Sequence, residues 1–203
     1  APSAEMWLAQ VGTPVDIANA VSWMRSNGVK VISMSLGWLS WGPGDGTGDL
    51  ANVINSFVNA GGVWVNSAGN SALAHYQARF ADGNGNQFHD FASGWELNYV
   101  TGDGANPTWI TAGTTVSSSL IWNQWSSPTT DLDFFLYRWD GTNQPESVAA
   151  SDDPQNGTAG QLPIEEISYE IQVDGYYGFV VQKYSGSDVD FEFFKRLDTS
   201  PLQ

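Results

Sequence analysis

Cysteine is absent from the 203 residues, which excludes disulfide bridges, thiolate catalysis and Cys-ligated zinc. Many secreted bacterial proteins manage without bridges, so secretion is compatible with this. Basic residues are scarce, seven Lys and Arg against 22 Asp and Glu, for a net charge of −15. Phosphates would be repelled, so nucleic acid is excluded as a partner. The same charge suits a soluble extracellular protein or a Ca²⁺ binder. No apolar run approaches the ~20 residues of a membrane span, so none is expected. Internal repeats and low-complexity linkers are lacking too. The chain opens at Ala1-Pro2 without a Met, a basic stretch or an apolar leader, and is expected to be a processed or excised piece of a longer chain.

What is present is globular: 41% apolar residues and 13% aromatics, with ten tryptophans. The charge is uneven. Up to Phe80 there are four acids (Glu5, Asp16, Asp45, Asp49) and three bases (Arg25, Lys30, Arg79), leaving 18 acids and four bases beyond it. Such asymmetry points to two units.

In the first unit, Ala4–Gln10 reads as a short strand. Thr13-Pro14-Val15-Asp16 is a helix start: Thr13 can cap, Pro14 suits the first helical position, and Asp16 favours the positive end of the dipole. Ile17, Ala20, Val21 and Met24 keep helical spacing, and Gly28 stops the helix. Val29–Ser35 reads as a strand. Leu50, Val53, Ile54, Phe57 and Val58 mark a second amphipathic helix, ended by Gly61-Gly62. Val63–Asn66 is then a buried strand. Strand, helix, strand, helix, strand predicts two βαβ crossovers and a parallel sheet. Beyond Ala72, short β-rich runs alternate with turns such as Asp82-Gly83-Asn84-Gly85, Asp103-Gly104, Asp140-Gly141 and Asp174-Gly175. The strands expected there are 87–92, 96–100, 108–116, 119–125, 131–139, 147–150, 165–173, 175–184 and 189–195. This pattern predicts an antiparallel β-sandwich or jelly roll.

Ala68-Gly69-Asn70, directly after Val63–Asn66, reads alone as an ordinary turn, since Gly and Asn tolerate left-handed backbone. It also stands where open α/β sheets place ligands, outside the carboxyl end of a strand. Taken with Val31-Ile32-Ser33-Met34-Ser35-Leu36-Gly37 and Gly61-Gly62-Val63-Trp64-Val65-Asn66-Ser67, it resembles the middle of subtilisin-family serine proteases. The likeness runs from Ala1-Pro2-Ser3-Ala4-Glu5 to about Ser71. It implies that Asn70 is the oxyanion-hole asparagine. Ser35, Leu36 and Gly37 would be the edge on which an extended polypeptide substrate lies, and Ser67, Ala68 and Gly69 a wall of its pocket. The family's Asp, His and Ser triad is expected outside these residues, in the rest of the protease domain. Gly113-Thr114-Thr115-Val116, the nearest approach to the nucleophile motif, lacks the serine. His75 and His89 stand outside any matching motif and are expected to be solvated or structural.

The second part resembles the bacterial pre-peptidase C-terminal type of β-sandwich. The likeness rests on Asp131-Leu132-Asp133-Phe134-Phe135-Leu136-Tyr137, Ala150-Ser151-Asp152-Asp153, Ile164-Glu165-Glu166-Ile167 and Asp174-Gly175-Tyr176-Tyr177-Gly178-Phe179-Val180-Val181. Its place implies an insertion within the catalytic domain. No cofactor is required by this reading. Asp131, Asp133, Asp152, Asp153, Glu165 and Glu166 are candidate Ca²⁺ ligands, because carboxylates are the hard oxygen donors Ca²⁺ takes; without EF-hand spacing, solvated loop and edge-strand acids are expected instead. Trp122 and Trp125, three apart, cannot share one face of a straight strand, so most tryptophans are expected in the core rather than on a sugar-binding platform.

The expectation is therefore α/β plus all-β. Residues 1–75 form a partial subtilisin-like parallel sheet with flanking helices, and residues 76–203 an inserted β-sandwich. The function expected is that of a subtilisin-like serine endopeptidase fragment, extracellular or at the cell surface. The alternative is a non-catalytic sandwich module that binds polypeptide or carbohydrate in a pseudoprotease or adhesin.

Overall fold

A computed structural model describes residues 3–92, 94–102 and 106–198. The Ala1-Pro2 opening and the Asp103-Gly104 turn lie outside the described residues. The chain divides into two compact units, Ala1–Asn70 and Ser71–Gln203. The division falls a few residues before the expected boundary after His75, because His75 already pairs with the last strand of the second unit.

In the first unit, α1 (Pro14–Ser26) begins with the capping box the sequence announces. The Asp16 amide donates to Thr13 Oγ1 at 3.2 Å, and the Thr13 amide donates to Asp16 Oδ2 at 2.9 Å. Gly28 takes φ +76°, the left-handed position after the cap. β1 (Val31–Met34) and β2 (Val63–Asn66) run parallel, Val31 opposite Val63 and Met34 opposite Asn66, with α2 (Asp49–Asn59) between them in sequence. Ile17, Val21, Ile32 and Phe57 form the core. Gly62 lets the chain pass under α2: a Cβ there would stand 2.3 Å from the Phe57 ring.

One expectation fails. Ala4–Gln10 forms no strand, so one crossover is built rather than two. A strand exists only through a partner that takes its N–H and C=O groups, and among the described residues none pairs with this segment.

The second unit opens with a 3₁₀ turn (Ala72–Ala74) and continues through β3 (His75–Arg79), β4 (Asn98–Tyr99), β5 (Thr115–Trp122) and β6 (Asp131–Trp139). β7 (Glu146–Ser151), β8 (Ile164–Glu170), β9 (Tyr176–Ser185) and β10 (Asp190–Asp198) complete it. Two four-stranded antiparallel sheets result, in the orders β3-β10-β5-β8 and β4-β9-β6-β7. This is the two-sheet order of a jelly roll. Leu120, Trp122, Phe134, Leu136, Phe179 and Phe193 meet in the core between the sheets. β3 was not expected from the sequence. The strand expected at 108–116 does not form: residues 108–114 are loop and turn apart from an isolated bridge at Ile110. Its last two residues, Thr115 and Val116, begin β5, which runs on through most of the expected 119–125 strand because β10 pairs with it continuously from Thr115 to Trp122.

Candidate functional site

β1 and β2 end side by side, and the chain leaves both strands at the same edge of the sheet. The Ser67 amide still donates to the Met34 carbonyl at 3.1 Å, which carries the parallel register one step past the strands. Ser35, Leu36 and Gly37 follow β1 and Ser67, Ala68 and Gly69 follow β2 at this edge, and all six are exposed. Gly69 takes φ +76°, a turn that glycine makes without strain. Asn70 follows, exposed, and its carboxamide makes no hydrogen bond to any described residue. The structure thus offers a free amide donor at the carboxyl end of a parallel sheet. Both faces of a parallel sheet are ordinarily covered. Here Val31, Val63 and Val65 are exposed.

The histidines are held by the second unit. His89 is 1% exposed; Ala81 N–H donates to its Nδ1 at 3.0 Å, so Nε2 carries the proton toward the Tyr76 hydroxyl at 2.9 Å. Burial pushes its pKa down to about 4, keeping the ring neutral. His75 Nε2 lies 2.9 Å from Glu192 Oε2, its ring stacked on Phe194. Both roles are structural.

The acids expected to be solvated divide. Asp152, Asp153 and Glu166 are exposed, but Asp131, Asp133 and Glu165 are buried. Strand alternation decides this within the Glu165-Glu166 pair. Glu166 lies opposite Ser119 and accepts from its hydroxyl at 2.9 Å. Glu165 lies opposite buried Leu120 and turns inward. Gln155 links the two sheets: its amide nitrogen Nε2 donates to Glu165 Oε1 at 2.6 Å and its backbone N–H to Asp131 Oδ1 at 3.0 Å. Ser151 also bonds Glu165. Burial pushes the Glu165 carboxyl up to about 7, against the charge-favouring bonds from Ser151 and Gln155. Asp133 is pushed up to about 6 by burial and by Asp131 and Asp152 nearby. Among the described residues no group of three or more His, Cys, Asp or Glu is placed to hold a metal ion.

The tryptophans correct a further expectation: of the ten, Trp122 alone is fully buried, whereas Trp23, Trp41, Trp95 and Trp109 are each more than 40% exposed. Trp95 and Trp139 line a cleft of the second unit that sequence reasoning missed. The i, i+2 pair Tyr137 and Trp139 on one strand was the available signal.

A two-stranded parallel sheet with flanking helices, joined in one chain to a jelly roll, defines an α/β-plus-β protein. The sequence profile of the Subtilase family matches residues 1–183, and the chain belongs to that family. No curated protein sequence matches it. Among solved structures it is similar to the CspB protease of Clostridium perfringens, at 13% identity and a TM-score of 0.52, over 95% of this chain and 43% of that one. The pre-peptidase C-terminal domain of collagenase from Bacillus anthracis is similar over 60% of this chain and 87% of its own, at 10% identity and a TM-score of 0.36. The chain thus spans less than half the length of the protease it matches. No helix among the described residues is long and apolar enough to cross a membrane.

Proposed function

We propose that these residues are the central part of a subtilisin-like serine endopeptidase, in which Asn70 is one donor of the oxyanion hole. The observation that carries this reading is the side-by-side exit of Ser35–Gly37 and Ser67–Asn70 from a parallel pair of strands, in a chain of the Subtilase family. When a serine Oγ attacks a peptide carbonyl carbon, the carbonyl π electrons move to oxygen and the serine proton passes to the histidine base. The Asn70 side-chain N–H would donate to that oxygen. A donor already in place needs little reorganisation as the charge appears. The three triad residues are supplied by other parts of the full-length protein, and the exposed face of Val31, Val63 and Val65 is where the remaining sheet and its cover would pack. Working on polypeptide outside the cell or at its surface agrees with the acidic, cysteine-free composition.

The test is Asn70→Ala in the full-length enzyme. Its kcat should fall while KM changes little, since the bond strengthens only in the transition state. Loss of such a donor costs roughly 10²–10³ in kcat, a value that subtilisin itself supplied, so direction rather than magnitude is predicted for Asn70. A pure KM effect would overturn the oxyanion role. A full-length gene without a His-Gly-Thr segment before these residues, or without Gly-Thr-Ser-Met-Ala after them, would assign the chain to a non-catalytic binding module.

A further inference from the structure

The outer face of the β4-β9-β6-β7 sheet carries an open cleft of about 540 Å³. Alternation along β6 puts Leu136 into the core and Tyr137 and Trp139 outside, where they form the floor with Tyr99 and Val180. One wall is the segment through Trp95 and Glu96; the other is the β6–β7 hairpin, Thr142–Pro145. Both walls are tied down. Asn84 and Asn86 donate their amides to Glu96 Oε1 at 3.0 and 2.7 Å, and Asp140 Oδ1 accepts from the backbone of Thr142 and Asn143 at 2.8 and 2.9 Å. Such walls lose little conformational freedom when a ligand binds.

The cleft holds polar groups without partners. Tyr99 is 5% exposed, yet its hydroxyl makes no hydrogen bond to any described residue. The same is true of the Tyr137 hydroxyl, the Trp95 and Trp139 indole N–H groups and the Gln144 amide. Each of these groups can donate. Glu96 is the one charged residue among the described residues of the lining.

We propose that this cleft binds a cationic, proline-containing polypeptide segment in the polyproline II conformation. β6 and β9 are central strands, so their backbone groups are taken by the ladder and a ligand on this face meets side chains alone. A β-extended peptide would leave its own amides unpaired there. A polyproline II segment has no internal hydrogen bonds; its carbonyls need donors, which the cleft supplies. Proline brings no N–H to satisfy, and its ring packs on aromatic faces. Glu96, within the part of the chain that carries 18 acids and four bases, selects for Lys or Arg and against acidic segments. A neutral glycan brings no charge to pair with Glu96, so the salt dependence distinguishes it from a cationic peptide.

The test titrates the whole 203-residue chain with a short peptide of Pro-Pro-Arg triplets, read by calorimetry and tryptophan fluorescence. Saturable binding is expected. It should weaken by about tenfold or more in Trp139→Ala, as for a central aromatic anchor. It should also weaken in Gln144→Ala, whose exposed side chain makes no bond within the described residues and so leaves the fold unchanged. Added salt should weaken it, and a Pro-Pro-Glu peptide should not bind. Equal affinity for a Gly-Ser-Arg peptide of the same charge would overturn the proposal, as would indifference to both variants. Binding of cellohexaose in place of the peptide would assign the cleft to glycans and overturn it too. None of these outcomes bears on Asn70, and Asn70→Ala should leave this binding unchanged, so failure here is distinct from failure of the peptidase reading.

Discussion

At Gly62 the absence of a Cβ lets the chain turn from α2 into β2 against the Phe57 ring, which is itself fully buried. Gly62→Ala forces the ring or the backbone to move and should cost about 1–3 kcal/mol, as overpacking does. The check is a urea melt, in which the midpoint falls and the slope is unchanged. An unchanged midpoint would mean that Phe57 yields freely. The glycine was legible in the sequence as a helix stop, but its tight contact was not, because Phe57 and Gly62 meet only once the turn is folded. Asn70 shows the same division. Its amide could be singled out from Ala68-Gly69-Asn70, whereas the common edge at which the chain leaves β1 and β2 required those strands to pair.

Helices were the readable elements. Thr13-Pro14-Val15-Asp16 announced α1 to the residue, since capping is an interaction across three positions of one chain segment. Thr13→Ala should lower stability by about 1 kcal/mol, and Thr13→Gly by less. Denaturant titration of both variants checks this; no loss in either would mean that the Thr13 side chain contributes nothing to the cap. Strands were read less well. β3 went unnoticed because its place is set by Ala78 lying opposite Phe191, far along the chain. Ala4–Gln10 had the composition of a strand but no partner among the described residues. Spacing argues against a shared face for Trp122 and Trp125 and aromatic bulk favours the core for most tryptophans, yet sheet alternation turns Trp139 outward into the cleft.

For the whole molecule, the buried titrating groups oppose one another. Glu165 is raised from 4.5 to about 7, so the fold keeps a proton that the unfolded chain has released. Its contribution is full below pH 4.5 and is lost as pH rises through 7. Asp133, raised from 3.8 to about 6, acts in the same sense. His89, lowered from 6.5 to about 4, acts in the other: its contribution is full above pH 6.5 and is lost as pH falls toward 4. Glu165→Gln removes the larger falling component. The melting temperature of the parent should therefore drop relative to that of the variant as pH rises from 4.5 to 7. Parallel profiles would show that Glu165 ionises normally. Ca²⁺ stabilises by mass action where it binds the folded state alone. With no metal-holding group among the described acids, millimolar Ca²⁺ should leave the melting temperature of the chelator-treated chain unchanged. A rise would show that Asp131, Asp133 and their neighbours regroup around the ion.

The sequence by itself determined α1, α2, most turns, the change from α/β to all-β and the family, because capping, helical periodicity and the paired strand-end motifs are written in local or closely spaced residues. The tertiary structure alone decided the jelly-roll order of the eight sandwich strands, the burial of Glu165 but not Glu166, and the meeting of Tyr99, Trp95 and Trp139 in one cleft. Each of these depends on which strand lies beside which, and a strand's partner is chosen by contacts between residues far apart in the chain.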